Sequence, residues 1–408
     1  MNNILDKLGK INDCTGCGMC AAVCPKNAIN IELNKDGFYR PIVNNDLCVS
    51  CGICKKVCYC FEDDYNKGAS LENVVCFSAK NKDKIELNKA SSGGVSIELM
   101  RQCLEEGYKV VGVAYDYERE IAVTKIASSE DELGSFRGSK YFQSYTLEAL
   151  KEIVENTNSK YAIFGTPCQI YAVSKFSEVK KFRNRFLLID IFCHGCPSIN
   201  LWKKYLDSYE KKCSADRFDE IRFRSKTYGW HEYCIDFVKG VNVYSSNKYN
   251  DPFFEMFYGK DIMNEACYEC KARSYVCKTD IRLGDFWGWQ FDLDNQGVSA
   301  VVCNTDKGKE LFEKVKHKFI TENFDFEEVI KDQSYGKNHL YDKHRREFLL
   351  SRLSSDNDIY RIQKQYRKKF PVIHSIKRVL KNMLKFCGRR FYLVLRQKKH
   401  KANNEWRA

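Results

Sequence analysis

The sequence predicts an α+β protein. A small cysteine-rich N-terminal unit over residues 1–66 precedes a larger unit of alternating strands and helices over 70–330, and a basic helical tail follows over 331–408. Three observations carry this prediction. Eight of the 21 cysteines lie in the first 58 residues, in one spacing written twice. From residue 74 onward, β-branched apolar runs alternate with segments of helical period. The charge is uneven: 67 Lys and Arg against 54 Asp and Glu give +13, yet 16 of the bases and one acid, Glu405, lie after Tyr360. The body is therefore close to neutral.

Composition narrows the class. A hydrophobic share of 44% and a charged share of 30% are ordinary for a soluble globular chain. The longest apolar runs, such as 186–191, fall far short of the ~20 residues that cross a bilayer. The opening MNNILDKLGKINDC lacks the apolar core of a signal peptide. A cytoplasmic protein is expected, and in a reducing compartment cysteines serve metals or catalysis rather than disulfides. A near-neutral body argues against nucleic acid as a partner, because such binding needs a basic face on the folded domain.

The N-terminal unit reads Cys14-x2-Cys17-x2-Cys20-x3-Cys24-Pro25 and then Cys48-x2-Cys51-x2-Cys54-x3-Cys58. This is the dicluster ferredoxin pattern. Three thiolates with two residues between them wrap one face of a cubane, and the fourth points away to ligate the other cluster. Cys14, Cys17, Cys20 and Cys58 are thus assigned to one [4Fe-4S] cluster, and Cys48, Cys51, Cys54 and Cys24 to the second. Gly16, Gly18 and Gly52 are expected to let the backbone approach sulfide. Tyr59 stands where proline usually follows the last cysteine. Zinc is a poor alternative, since its sites use four ligands in paired CxxC units. Residues 29–33 and 38–43 flank Asn34-Lys35-Asp36-Gly37 and predict a hairpin.

In the larger unit, residues 74–79, 109–115, 161–164 and 187–192 read as buried strands. Residues 94–106, 147–156, 169–176, 200–211 and 307–318 read as helices, and 217–250 reads as β-rich. Strand, motif, helix is the α/β pattern, which places chemistry at the C-terminal ends of strands. Gly165-Thr166-Pro167-Cys168-Gln169 and Cys193-His194-Gly195 each end a strand, and two further motifs are Ser91-Ser92-Gly93-Gly94 and Gly138-Ser139-Lys140-Tyr141. Later come Phe223-Arg224-Ser225-Lys226, Cys267-x2-Cys270-x6-Cys277 and Asp280-Ile281-Arg282-Leu283-Gly284-Asp285-Phe286-Trp287-Gly288. Ser91 to Gly94 precede a helix, where serine caps and glycine opens N–H groups to a phosphate. A plain capped helix is the alternative.

Taken in order, these motifs resemble the family of beta subunits of coenzyme F420 hydrogenases and dehydrogenases, with residues 70–150 and 151–330 as its N- and C-terminal regions. The resemblance implies an FAD-binding α/β domain with its own iron–sulfur cluster. FAD contact falls to Ser91, Ser92, Gly93, Gly94, Lys140, Thr166, Pro167, Cys168 and Gln169. Lys140 is a candidate for pairing with a phosphate or the N1–C2 edge of reduced flavin, with a solvated lysine as the plain alternative. His194 is a candidate proton relay, although a lone histidine is more often structural. Cys267, Cys270 and Cys277 supply three thiolates of a third [4Fe-4S] cluster, with Cys193 as first choice for the fourth and Cys168 as second. Cys196 reads as packing. Asp280, Gly284, Asp285, Trp287 and Gly288 are expected to shape the pocket floor.

From 372 to 395, apolar residues recur at three- and four-residue steps between Lys and Arg. This predicts a basic amphipathic helix that either rests on an anionic membrane face, placing the protein peripherally on its inner side, or docks on the body. Two functions remain open. One is an iron–sulfur flavoprotein oxidoreductase that takes electrons from a ferredoxin-like or other redox partner protein. It passes them through the clusters to FAD and then to a small-molecule or lipid-linked substrate, such as coenzyme F420 or a glycan-biosynthesis intermediate. The other is an electron-transfer subunit that docks a separate catalytic partner.

Overall fold

The computed structural model describes residues 2–5, 14–62, 71–246, 251–274, 276 and 278–371. The chain divides into a unit ending at Ile359 and a C-terminal unit from Tyr360. The helix Ile359–Lys369 begins the second; the amphipathic segment expected over 372–395 lies outside the described residues.

The predicted hairpin forms. β1 (Ile29–Leu33) pairs antiparallel with β2 (Tyr39–Val43). Asn34 closes the turn by accepting the Gly37 N–H at its carbonyl and the Phe38 N–H at its side chain, both at 2.9 Å. Next come β3 (Val75–Asn81), the helix Val95–Glu105, β4 (Tyr108–Asp116) and β5 (Ile121–Ala127). The helix Leu147–Glu155 leads to β6 (Lys160–Phe164), and the helix Pro167–Val179 to β7 (Phe186–Ile191). After the helix Ile199–Cys213, β8 (Glu220–Ser225), β9 (Cys234–Lys239) and β10 (Asn242–Ser245) make a separate antiparallel sheet, the β-rich segment of the sequence. The helix Pro252–Gly259, β11 (Ile281–Asp285), β12 (Ser299–Cys303), the helix Asp306–Lys316 and β13 (Phe319–Phe324) complete the large unit's main layers.

The large sheet runs β13-β3-β12-β11-β7-β6-β4-β5. Its centre is parallel (β11, β7, β6, β4), and antiparallel strands extend it on both sides. The domain is therefore a mixed sheet rather than a simple α/β alternation. Side chains alternate between faces as the pleat requires. On β12, Val301 and Cys303 join Phe77, Leu99, Ile189 and Phe312 on one face, whereas Ala300 and Val302 join Trp230 and Phe286 on the other.

One charged pair lies inside this apolar centre. Arg282 on β11 and Asp190 on β7 are register partners, and both side chains are fully buried. Arg282 Nε donates to Asp190 Oδ1 at 2.8 Å and Nη2 donates to Oδ2 at 2.5 Å. This two-pronged geometry compensates the desolvation of both charges.

The cysteine-rich unit is fastened to the large domain through the first motif. Gln143 Nε2 donates to the Thr15 carbonyl at 2.6 Å, and Thr146 Oγ1 donates to the Cys17 carbonyl at 2.8 Å. Lys175 pairs with Glu62 at 2.8 Å. Gly16 and Gly18 have φ of +66° and +82°, and a Cβ at either would come within 2.5 Å of Gln143 or Thr146. These glycines thus admit the neighbouring domain as well as bending the loop.

Candidate functional site

Thiols of the N-terminal unit lie close to one another. Cys24 from the first motif joins Cys48, Cys51 and Cys54 in the wall of a cavity of about 340 Å³. The Ala28 N–H donates to Cys24 Sγ at 3.3 Å, a backbone contact of the type that stabilises a ligating sulfur. Cys14, Cys17, Cys20 and Cys58 form the other group: burial and the charges of Cys58 and Cys14 push Cys17 up to about 12. Crowded thiols of this kind deprotonate against a cationic metal core, which reverses the upward shift.

A third group is assembled from distant parts of the large domain. Cys168, Cys193, Cys196, Cys267 and Cys270 line a cavity of about 410 Å³, together with Thr15 and Arg273. Local structure explains the placement. β6 ends at Phe164, and Thr166 and Gln169 make a capping box that starts the next helix with Pro167 in its first turn. Thr166 N donates to Gln169 Oε1 at 2.9 Å, and Gln169 Nε2 donates to Ser144 at 2.9 Å. Thr166, Pro167 and Gln169 therefore serve as the frame that carries Cys168 to the cavity. Cys193 follows the end of β7. Cys267 and Cys270 follow the helix Pro252–Gly259, and the Cys196 N–H donates to Cys267 Sγ at 3.4 Å. Cys277 lies outside the described residues. Sequence reading placed Cys196 in the packing; here it faces the cavity with the other thiols.

The donor set fits an iron–sulfur cluster at each location. Among the described residues, no three His, Cys, Asp or Glu side chains converge on the position of a single ion. The thiols surround spaces instead, as a cubane requires. At the third cavity, Arg273 is 3% exposed and its Nε has no hydrogen-bond partner among the described residues. A buried, partly unsatisfied guanidinium marks a place for negative charge, and a cluster held by four thiolates is an anion. A cluster held there would supply one-electron chemistry, and the chain would supply thiols, Arg273 and exclusion of water.

Four other motifs meet beside this cavity. Ser139 N donates to Ser91 Oγ at 3.2 Å. Lys226 Nζ donates to the carbonyls of Ser92 at 2.7 Å, Leu87 at 2.8 Å and Gln296 at 2.5 Å. Arg224 donates to Asp285 at 2.6 Å and lies over Tyr233 at 4.2 Å and Trp287 at 5.5 Å. Its Nε and Nη2 are buried without a hydrogen-bond partner among the described residues. Tyr141 and Cys267 pack on the same small apolar cluster of Phe257, Met263 and Tyr268, so this corner adjoins the third cavity.

Several nominated flavin contacts turn inward. Gly93 N donates to Ser299 Oγ at 2.9 Å, and a Cβ at Gly93 would sit 2.0 Å from the Ala79 carbonyl. This glycine serves the fit of the loop on β3 and β12, and its N–H is already used. Ser92 Oγ donates to the Val298 carbonyl at 2.9 Å. Lys140 Nζ donates to the carbonyls of Val113, Ser135 and Arg137 at 2.8, 3.1 and 2.8 Å. Burial pulls its pKa down to about 7, while the three carbonyls favour the ammonium form. Lys140 thus ties its own loop together. The open donors belong to Arg224, which sequence reading registered only as part of a motif. His194 shares a hydrogen bond of 3.2 Å between Nδ1 and Ser334 Oγ, and its carbonyl lies 2.7 Å from His339 Nε2. Burial, with the charges of Lys260 and His339, lowers it to about 3, which keeps the ring neutral at pH 7.

Comparison with known proteins identifies the regions of the chain. Residues 76–151 and 158–328 match the N- and C-terminal regions of the coenzyme F420 hydrogenase/dehydrogenase beta subunit, and residues 13–60 match a 4Fe-4S dicluster domain. An uncharacterized protein of Methanocaldococcus jannaschii is 26% identical over 371 residues, covering 81% of this chain and 94% of its own length. One of the subunits of the F420H2 dehydrogenase of Methanosarcina mazei is 28% identical over 174 residues, 40% of this chain and 49% of that protein. The coenzyme F420-dependent sulfite reductase of M. jannaschii is 27% identical over 177 residues, 41% of this chain and 26% of the reductase. A chain of the F420-reducing [NiFe] hydrogenase complex from Methanosarcina barkeri superposes with a TM-score of 0.46 at 21% identity, covering 73% of this chain and 93% of that one. No described helix is long and apolar enough to cross a membrane.

Proposed function

Because the chain belongs to the family of coenzyme F420 hydrogenase/dehydrogenase beta subunits and carries a 4Fe-4S dicluster domain, we propose that it is an iron–sulfur oxidoreductase that passes single electrons through three cubanes to a flavin. The observation that supports this most directly is the third cavity, walled by five thiols and the buried Arg273. Cys267, Cys270 and Cys277 are three of its ligands, and Cys193 or Cys168 is the fourth; Cys196 is the spare thiol. FAD belongs at the adjoining corner, where Arg224 keeps two buried N–H groups between Tyr233 and Trp287. A flavin suits that junction because it accepts electrons singly and releases them in pairs. The organic substrate takes the pair; coenzyme F420 is one candidate by the names of the relatives, and a glycan intermediate another.

Anaerobic purification of the full chain, with counts of iron, sulfide and flavin, tests this. About twelve irons and one FAD per chain are expected; about eight irons would remove the third cluster, and absence of flavin would remove the hydride chemistry. A second reading is favoured by the match to about half of one dehydrogenase component: the chain then serves a separate catalytic protein and holds no substrate. Turnover by the isolated chain separates the two.

A further inference from the structure

The two N-terminal cages stand differently toward the large domain. The cavity of Cys24, Cys48, Cys51 and Cys54 is walled by residues between 2 and 54 alone. Cys51 is exposed, and beside it Val49 and Leu47 are 59% and 49% exposed. The other cage reaches inward. Thr15, the residue between Cys14 and Gly16, is itself part of the wall of the third cavity. One loop therefore borders two sulfur sites.

Tyr59 strengthens that shared border. It replaces the proline that usually follows the last cysteine of the pattern, and it is 4% exposed. Its hydroxyl donates to Thr15 Oγ1 at 3.2 Å. Its ring meets Tyr171 edge-on at 5.9 Å, and Tyr171 lies one helical turn beyond Cys168 in the same helix. Through Thr15, which lines the third cavity, and Tyr171, in the helix that carries Cys168, the phenol joins the last cysteine of the inner cage to the third site. Proline would supply neither the hydroxyl nor the ring.

We propose that the Thr15–Tyr59 contact is the junction where electrons cross from the dicluster unit into the large domain, with the Cys14/Cys17/Cys20/Cys58 cage as inner relay and the Cys24/Cys48/Cys51/Cys54 cage as outer port. This rests on the reading that the third cavity holds a cluster. A reduced one-electron carrier protein gives one electron to the outer cage and is oxidised by one. Each later hop oxidises one cage and reduces the next by one, and no bond or proton moves. Tyr59 acts as a positioning residue: it fixes the loop of the inner cage against the wall of the third site.

The test uses the full chain, prepared anaerobically with its clusters and titrated with dithionite under EPR. The third-site spin is expected to couple most strongly to the cage whose signal changes in Cys17→Ser, and to remain coupled in Cys51→Ser. Tyr59→Phe and Thr15→Val keep every thiol and report even where a thiol variant does not fold. Both should shift the midpoint potentials of the inner and third signals and leave the outer one in place. Dominant coupling to the Cys51 cage, or three unmoved potentials in Tyr59→Phe, overturns the junction. A missing third signal with about eight irons per chain overturns the third cluster instead, and the iron count tells that failure apart.

Discussion

The N-terminal cages and the cavity of the large domain use the same side chain in opposite ways. The cages are coded locally, by eight cysteines at steps of three and four residues, and short loops suffice to bring them together. The cavity is coded by the fold. Cys168 and Cys193 follow the ends of neighbouring parallel strands, and Cys267 and Cys270 come from a segment some 70 residues later. A local code tolerates changes in the body of the protein, whereas a fold-coded site inherits every weakness of the sheet that presents it.

The largest effects should come from the thiols themselves. Cys24→Ala and Cys51→Ala are expected to lose the same cluster, about four irons of twelve, and Cys58→Ala and Cys17→Ala the other. Cys193→Ala should lose about four irons from the cavity, while Cys196→Ala keeps them. Iron analysis with visible absorbance reads all six. Loss of iron in Cys196→Ala would show that the spare thiol is a ligand and redraw the cavity.

The second prediction strikes the sheet and spares the local code. Asp190→Asn removes the carboxylate that faces the buried Arg282 guanidinium, at a cost of about 3–5 kcal/mol. Urea unfolding should show the third-site signal failing at lower denaturant, with the two N-terminal signals persisting longer.

That same pair explains what could be read from the sequence and what could not. The doubled cysteine spacing, the Asn34–Gly37 hairpin and the apolar strands β4, β6 and β7 were legible because each is a local pattern. β11 was not, because a fully buried arginine interrupts Ile281–Asp285 and its partner Asp190 lies 92 residues away. β12 could have been found, since Ser299–Cys303 is a short run buried throughout. β13 is a half-exposed edge whose Thr, Glu and Asn residues mask its period. At the site, the order of motifs revealed the family. The bonds of Gly93 to Ser299, Lys140 to Val113 and Arg224 to Asp285 each span more than 20 residues, which no spacing records.

A smaller effect is expected at the seam between the two regions. Gly18→Ala must adopt φ near +82° and push against Thr146 Oγ1, at about 1–3 kcal/mol. The visible absorbance of the N-terminal clusters should melt at lower temperature, and Thr146→Ser should leave it nearly unchanged.

The smallest concerns the large domain alone. Burial raises Glu86, but Arg137 at 2.6 Å and Arg101 at 3.3 Å outweigh it and hold the carboxyl below its usual value of 4.5. Its contribution is complete above about pH 4.5 and is lost as pH falls through the lower folded value. Wild type should lose about 1 kcal/mol or less over that window, and Glu86→Gln should flatten this part of the profile. An unchanged profile would mean that the exchange with water matches the ion pairs.

The long-range wall of the third cavity also sets a timetable for biogenesis. A nascent chain holds all eight N-terminal thiols once residue 58 has left the ribosome, but Cys270 is made more than 200 residues later. If the third cavity takes a cluster as proposed, its loading would wait for the sheet to close, whereas the leading segment is able to load while translation continues.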